Sequence, residues 1–344
     1  GVDDSRIEVG RPVRHDGAPL HATGRARYAG DLPLPARSLV AWPVASPHAR
    51  ARVVSINAAP ALAVRGVATV LTAADVPGLN DTGPIRHDEP LFPTEVRHHA
   101  QAVAWVLAED VVTARRAASL VEVAWEPVMP LLDLAEAIDA GSFHTDPQWV
   151  RRGDVDEALA EAAVSPDAVV VEGTFRTGAQ DHFPLETHVS LAVPESDGRI
   201  IVHSSTQHPS ETQAVVAHVL GVSLNQVVVQ CGRMGGAFGG KESQANAWAA
   251  VAALGAAKTG RATLVRLDRD RHMTMTGKRH PFLARYRAAI GRDGLLRALD
   301  VELYSDGGWS LDLSDAVTGR AMMHVDNAYY WPVMRVRGQV VRTD

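Results

Sequence analysis

The chain has 344 residues, of which 46% are hydrophobic and 22% are charged. These proportions argue against disorder and allow about two domains with sizeable cores. Acidic residues outnumber basic ones by 40 to 34, so a protein built mainly to hold nucleic acid is not expected. The chain has no apolar run of 18 residues and begins with the polar sequence GVDDSR, so we expect neither a transmembrane helix nor a secretory signal.

Cys231 is the only cysteine of the chain. One thiol cannot form an internal disulfide, a cysteine-type zinc site or an iron–sulfur cluster. If the protein carries out redox chemistry, any iron–sulfur centre must therefore lie on another chain. A single free thiol fits a reducing, cytoplasmic setting. Within the fold, we expect Cys231 to be a small core residue on a strand.

Residues 1–135 are predicted to form a small α/β domain after a polar lead-in. An apolar run occupies residues 39–44, and alternating or buried-type patterns predict strands at residues 51–56, 67–71, 102–107 and 121–125. Helices are predicted at residues 57–64 and 111–120. Two strand–helix–strand rounds of this size indicate one compact α+β unit, and no residue in it shows a catalytic spacing.

Residues 136–160 are predicted to be a linker with a short helix, and residues 161–344 a second, mixed α/β domain. Its strands are predicted at residues 169–175, 187–193, 199–204, 226–231 and 262–267. An amphipathic helix is predicted to end before Gly221, and an Ala-rich helix is predicted at residues 242–258. A hairpin is expected around the turn at residues 291–294. The fold class is therefore α+β.

A glycine-rich loop at residues 233–242 lies between a predicted strand and a predicted helix. Within the loop, four of the six residues from 235 to 240 are glycine, which allows positive φ angles and a close approach of the backbone to a ligand. Free N–H groups and the helix dipole would favour an anion or an electron-rich oxygen there. The plain alternative is a tight turn that ends in a helix cap.

The same loop matches most of a phosphate-binding motif. Gly235, four further residues and then Gly240 and Lys241 fit the pattern G-x-x-x-x-G-K. The next residue should be Ser or Thr, whose hydroxyl binds Mg²⁺, but it is Glu242, whose charge would repel a triphosphate. The phosphate-loop interpretation therefore fails at the position that its chemistry needs most.

The loop sequence MGGAFGGKE at residues 234–242 resembles that of the molybdenum hydroxylases of the xanthine dehydrogenase family. Further segments are similar to that family in the same order along nearly the whole chain: GRARYAGD at 24–31, GAQDHFPLE at 178–186, SSTQHPS at 204–210, LDRD at 267–270 and TGKRHPF at 276–282. The resemblance implies an N-terminal α/β hammerhead-like domain followed by a mixed α/β molybdenum-cofactor-binding domain. The form with a separate molybdenum-binding subunit is the most similar.

The resemblance also implies which residues meet the cofactor. Gln180 matches the family's glutamine near the apical oxo group of molybdenum, where an amide can donate without adding charge. Gly236, Ala237, Phe238 and Gly239 match the loop whose backbone N–H groups face the cofactor, with Phe238 also close to the metal. Ala237 replaces the more common glycine, which is tolerable if its φ stays negative. Without the resemblance, Gln180 could be a buried residue that satisfies a strand end.

Glu242 matches the family's carboxylate that holds the purine ring. Its predicted place in the first turn of a helix would favour the ionised form. Aldehyde-oxidising relatives tend to carry an apolar residue here, so Glu242 favours purines over aldehydes. The alternative role is a glutamate that only complements the helix dipole.

The implied activity is that of a molybdenum-dependent oxidoreductase that hydroxylates purines, from hypoxanthine or xanthine to urate. Molybdopterin would lie partly in this chain, and [2Fe–2S] centres and FAD on a partner chain of a hetero-oligomer. The family's general base is expected beyond Asp344, so we expect no catalytic residue here and little activity from the chain alone. Two alternatives stay open: a relative that oxidises aldehydes or other N-heterocycles, and a truncated, non-catalytic assembly scaffold.

Overall fold

A computed structural model describes residues 9–344 of the chain, so the polar start at residues 1–6 lies outside the described residues. The helices are α1 (Ala18–Ala22), α2 (Ala59–Leu62), α3 (Val111–Ala118), α4 (Leu134–Asp139), α5 (Val155–Val164), α6 (Pro209–Leu220), α7 (Ala245–Thr259), α8 (Arg269–Met275) and α9 (Ser314–Met323). The strands are β1 (Leu39–Ala45), β2 (Ala51–Asn57), β3 (Val67–Leu71), β4 (Glu95–Val96), β5 (Ala102–Ala108), β6 (Glu122–Pro127), β7 (Gln148–Arg152), β8 (Ala168–Thr177), β9 (Val189–Pro194), β10 (Ile200–Ser204), β11 (Val227–Gln230), β12 (Thr263–Arg266), β13 (Phe282–Gly291), β14 (Leu296–Asp306) and β15 (Val333–Val341).

The N-terminal region contains the strands and the longer helix that its sequence predicts. Helix α3 places Ala114, Ala117 and Ala118 in the core, where their small side chains let the helix lie close to β1 and β5. Asp110 caps this helix by accepting a hydrogen bond from the backbone N–H of Thr113 at 2.8 Å. A three-stranded antiparallel sheet of order β4-β2-β6 completes this region.

A seven-stranded mixed sheet joins the two predicted domains. Its order is β11-β10-β9-β12-β1-β5-β3, so three strands of the N-terminal region continue the sheet formed by four strands of the second region. The junction is a parallel pairing of β1 with β12, in which Leu39 lies opposite Thr263. The two regions therefore share one core. Local sequence patterns could not show this, because the paired strands lie more than 200 residues apart.

Part of the predicted linker is a strand. Residues 148–152 form β7, which pairs antiparallel with β15 at the edge of a five-stranded sheet of order β7-β15-β14-β13-β8. Helix α5 follows at once and packs on β8, β13, β14 and β15. The sequence QWVRR has no clear alternation of apolar residues, because an edge strand exposes more of its side chains than a central one.

The second region is built around an Ala-rich helix and a long hairpin. Helix α7 is buried on nearly every side against α6 and the seven-stranded sheet, with Trp248 beside Trp105 in the core. The predicted hairpin is confirmed as β13 and β14, and Gly294 in its turn has a φ of 84°. Among residues 9–344, none of the helices combines the length and apolar character needed to span a bilayer.

The prediction for Cys231 is wrong in detail. Strand β11 ends at Gln230, and Cys231 follows it as a half-buried residue rather than a core strand residue. The chain turns there into the glycine-rich loop, so the strand pairing that would bury the thiol has already ended.

Candidate functional site

The glycine-rich loop follows β11 in an irregular conformation that few sequences allow. Gly236 and Gly239 have φ angles of 94° and 93°, and Phe238 between them has a φ of 57°. A positive φ is easy for glycine but strained for a bulky residue such as phenylalanine. Ala237 is not among the residues with positive φ, which is the condition under which its methyl group is tolerable.

A buried ion pair holds the start and the end of the loop. The Nζ atom of Lys241 lies 3.2 Å from Oε2 of Glu186, and the Lys241 side chain is fully buried. The same carboxylate oxygen accepts the N–H of Gly235 at 2.9 Å, and the N–H of Glu186 donates back to the Gly235 carbonyl. A Cβ added at Gly235 would lie 2.6 Å from the Cβ of Glu186, so only glycine fits this approach.

This burial contradicts the phosphate-loop interpretation a second time. A phosphate loop needs its lysine to extend towards the ligand. Burial lowers the pKa of the Lys241 ammonium, and the nearby Glu186 carboxylate opposes that shift. Lys241 is therefore an internal anchor and is not available to a triphosphate.

Gln207 holds the loop from a second side. Its side-chain oxygen accepts the N–H groups of Gly239 at 3.0 Å and of Lys241 at 3.2 Å. Its own backbone N–H donates to the carbonyl of Lys241 at 2.9 Å. One glutamine thus satisfies two N–H donors and one carbonyl at the end of the loop.

These anchors leave three loop N–H groups free within the described part of the chain. The N–H groups of Gly236, Ala237 and Phe238 donate to no protein acceptor there, whereas that of Gly239 is taken by Gln207 and that of Gly240 by the carbonyl of Ala237. Of the four loop residues whose N–H groups were expected to face the cofactor, Gly239 instead donates to Gln207. The remaining three can serve an oxygen-rich ligand.

Gln180 lies next to this loop. Its backbone carbonyl accepts the N–H of Arg279 at 2.9 Å in an isolated bridge. The guanidinium of Arg279 in turn donates to the carbonyl of Phe238 at 3.1 Å. Gln180 and Phe238 are both exposed, and the Gln180 amide donates to no group in the described residues. The alternative of a buried glutamine that satisfies a strand end is therefore wrong.

Glu242 lies outside the helix that was expected to contain it. Helix α7 begins at Ala245 with Gln244 as its N-cap, because the N–H groups of Gly240 and Glu242 first close turns within the loop. The helix dipole acts mainly within the first turn, so it contributes less at Glu242 than predicted. Glu242 is exposed, and its charge adds to the raised pKa that burial gives to Asp312.

Gln180 and Phe238 are both exposed and are connected through Arg279, and the exposed Glu242 follows Phe238 by four residues along the chain. A cavity of about 440 Å³ adjoins them and is lined by Ala179, Lys278, Arg279, Gln244 and Asp312, among others. Its lining does not include Gln180, Phe238 or Glu242, although it includes Ala179, which precedes Gln180, and the arginine that contacts Phe238. Within residues 9–344, no three His, Cys, Asp or Glu side chains are grouped to hold a metal ion.

Two stacked histidines lie beneath the loop. The rings of His188 and His272 have centroids 5.2 Å apart, and the residues are 1% and 3% exposed. Burial lowers the pKa of His188 well below its usual value and lowers the pKa of His272 to about 4. The nearby charge of Lys241 lowers both values further. The loop therefore lies on two neutral imidazoles at pH 7.

The stability that comes from neutral His272 is expected to disappear in acid. A histidine in the unfolded chain has a pKa of about 6.5, so the unfolded state binds the proton first, and stability falls as the pH drops from about 6.5 towards 4. The full loss is about 3 kcal/mol. Urea unfolding of the chain and of His272→Gln measures it, because groups that titrate in both chains cancel in the difference. A difference in unfolding free energy that does not change with pH would contradict this expectation.

Three residues that hold the loop in place were not predicted from the sequence. Glu186, Gln207 and Arg279 each stand in a segment that resembled the family, but nothing local marked them as loop contacts. Arg269 donates to the carbonyls of Pro184 and Leu185, and its guanidinium carbon lies 4.5 Å from the centroid of the Phe183 ring. It thereby fixes the segment that leads into Glu186.

Both regions of the chain match domain models of known proteins. Residues 142–344 match the model of the molybdopterin cofactor-binding domain, and residues 23–128 match that of the a/b hammerhead domain of aldehyde oxidase and xanthine dehydrogenase. The xanthine dehydrogenase of Drosophila pseudoobscura pseudoobscura is 42% identical over 340 residues, which cover 98% of this chain and 25% of that protein. A nicotinate hydroxylase of Emericella nidulans is 38% identical over 339 residues, covering 98% of this chain and 25% of that protein.

A solved structure agrees with the fold. The aldehyde oxidoreductase of Desulfovibrio gigas superimposes with a TM-score of 0.88 at 28% identity, over 95% of this chain and 38% of that chain. The chain thus spans about a quarter of the length of the curated relatives that it matches.

Proposed function

The chain belongs to the xanthine dehydrogenase and aldehyde oxidase family of molybdopterin-binding proteins, and from this premise we propose that it supplies part of the cofactor and substrate site of a purine-hydroxylating enzyme. The observation that carries the proposal is the arrangement around Phe238. Three free loop N–H groups, the unpartnered amide of Gln180 and the exposed carboxylate of Glu242 lie on neighbouring segments.

The donor set fits molybdopterin. The backbone N–H groups of Gly236, Ala237 and Phe238 are directional donors that add no charge, and the Gln180 amide is a further neutral donor. Such donors suit the oxygen and sulfur atoms around a molybdenum centre, and they are the residues that would hold the cofactor. Gly239 belongs to the same turn and supports it through its positive φ, while its N–H serves Gln207. When bound, the cofactor supplies the two-electron oxidation that hydroxylates a ring carbon.

Glu242 is the residue that selects the substrate in this proposal. An ionised carboxylate accepts hydrogen bonds from the ring N–H groups of a purine, each worth about 1.5–3 kcal/mol because one partner is charged. The exposed side chain of Glu242 has no protein donor in the described residues, so its acceptor capacity is available. Its function is to bind and orient the heterocycle, and no residue of this chain is assigned as the general base.

The proposal also covers the partner chain and the location of the complete enzyme. With one cysteine, the chain cannot bind an iron–sulfur cluster, so we assign the [2Fe–2S] centres and FAD to another chain or region of the complete enzyme, which would be a hetero-oligomer in the cytoplasm. A second candidate is hydroxylation of another N-heterocycle, which the likeness to a nicotinate hydroxylase supports. A third is a non-catalytic scaffold.

Expression of the chain with and without the remaining parts of the enzyme tests the proposal. Elemental analysis should find molybdenum, and xanthine should be turned over, only in the complete complex, because this chain holds part of the site. Turnover of nicotinate but not of xanthine would support the second candidate. A complete complex that binds no molybdenum would contradict the enzyme and leave the scaffold.

A further inference from the structure

The segment TGKRHPF at residues 276–282 has a structural role that the proposed function does not use. Arg279 makes two hydrogen bonds to the candidate site: its backbone N–H donates to the carbonyl of Gln180, and its guanidinium donates to the carbonyl of Phe238. In the described residues it has no carboxylate partner within ion-pair distance. Arg279 is therefore the residue that joins the Gln180 segment to the tip of the loop.

The carbonyl that Arg279 contacts belongs to the most strained residue of the loop. Phe238 has a φ of 57°, and a non-glycine residue in this left-handed region costs roughly 1–2 kcal/mol. Its side chain is 62% exposed, so burial of the ring cannot offset that cost. Its ring lies over Gly236, where an added Cβ would approach it to 3.2 Å. Two side chains hold the peptide between Phe238 and Gly239: Arg279 donates to its carbonyl, and Gln207 accepts its N–H.

We propose that Arg279 is a positioning residue that holds Phe238 in its left-handed conformation and thereby aims the free N–H groups of Gly236, Ala237 and Phe238 at the cofactor. The second hydrogen bond fixes the Gln180 segment to the same arginine, so one side chain sets the relative position of the two donor groups. This inference rests on the proposed function for its consequence, but the hydrogen bond and the strain are properties of the chain itself.

A double-mutant cycle on the full chain tests the conformational part without cofactor. Arg279→Met should speed amide hydrogen exchange at the hydrogen-bonded N–H groups of Gly235, Gly239, Gly240 and Lys241 by about tenfold, the value of one charge-assisted hydrogen bond. Arg279→Lys, which keeps one charged donor, should restore part of the protection. In a Phe238→Gly background, Arg279→Met should have a much smaller effect, because glycine adopts the left-handed conformation without strain.

Arg297→Met is the matched control, because Arg297 is an exposed arginine whose ion-pair partner, Asp293, lies on the distant hairpin turn. It should leave exchange in the loop unchanged. Two results would overturn the proposal. One is that Arg279→Met speeds exchange in the loop equally with phenylalanine or glycine at position 238, and the other is that Arg297→Met speeds it as much as Arg279→Met.

The complete enzyme tests the consequence for the cofactor. Arg279→Met should lower the molybdenum content per chain and reduce kcat more than it raises KM for xanthine, with partial recovery in Arg279→Lys. Normal molybdenum content and unchanged kcat in Arg279→Met would overturn the positioning role. If the exchange cycle behaves as expected but the unaltered complex binds no molybdenum, the conformational role stands and the proposed function fails, so the two failures are distinguishable.

Discussion

Replacement of Lys241 by methionine is expected to lower the free energy of unfolding by about 3–5 kcal/mol, the cost of breaking a buried ion pair. The ammonium is fully buried and lies 3.2 Å from Glu186, whose other carboxylate oxygen is buried without a hydrogen bond. Without Lys241, the charge of Glu186 would lose its counter-ion, and the N–H of Gly235 would be its only remaining donor. Urea denaturation of the chain measures the loss.

Two further variants make this result specific. Lys258→Met is the matched control, because the partly exposed Lys258 pairs with Asp75 near the surface and should cost no more than about 1 kcal/mol. Glu186→Gln combined with Lys241→Met removes both charges and should recover part of the loss. An effect of Lys241→Met as small as that of Lys258→Met would show that the pair does not hold the loop.

Replacement of Glu242 by valine in the complete enzyme is expected to reduce kcat/KM for xanthine by about 10–100-fold, since each lost hydrogen bond to a charged acceptor is worth about 1.5–3 kcal/mol. Turnover of an aldehyde, which has no ring N–H to donate, should fall far less. Glu242 is exposed before α7 and accepts no hydrogen bond from the described residues, so its replacement removes no protein contact that supports folding. Steady-state kinetics on both substrates give the ratio.

The conservative variant and a distant variant complete the substrate test. Glu242→Gln keeps the shape and one acceptor oxygen of the side chain but loses the charge. Its kcat/KM for xanthine should therefore lie between those of the wild type and Glu242→Val. Glu195 lies on the turn after β9, so Glu195→Val should change kcat/KM for neither xanthine nor the aldehyde. Equal losses for xanthine and the aldehyde in Glu242→Val would contradict the assigned role.

Sequence patterns predicted the parts of the fold that depend on local chemistry. Helix α6 ends before Gly221 as expected, since glycine easily adopts the left-handed backbone angles that end a helix, and Pro209 stands at its start. The β13–β14 hairpin likewise follows from its turn residues. The start of α7 was predicted three residues too early. Glu242, Ser243 and Gln244 precede the alanine-rich stretch, and the N–H groups of Gly240 and Glu242 close turns in the loop instead.

The contacts that hold the glycine-rich loop were not predicted, because they join segments that are distant in the sequence. Glu186 and Lys241 are 55 residues apart, and Arg279 is 41 residues from Phe238. Nothing in the local pattern shows that Lys241 is internal while the adjacent Glu242 is exposed. The site residues themselves came from resemblance to a family, and the hydrogen bonds that leave only three loop N–H groups free came from the three-dimensional structure.

Anomalous diffraction at the molybdenum edge, on crystals of the complete enzyme, would locate the metal relative to this chain. We expect one molybdenum peak per copy of this chain, located between the Gln180 amide and the loop N–H groups of Gly236, Ala237 and Phe238. A peak on another surface of the chain, with Gln180 and the loop facing solvent or packed protein, would contradict this expectation.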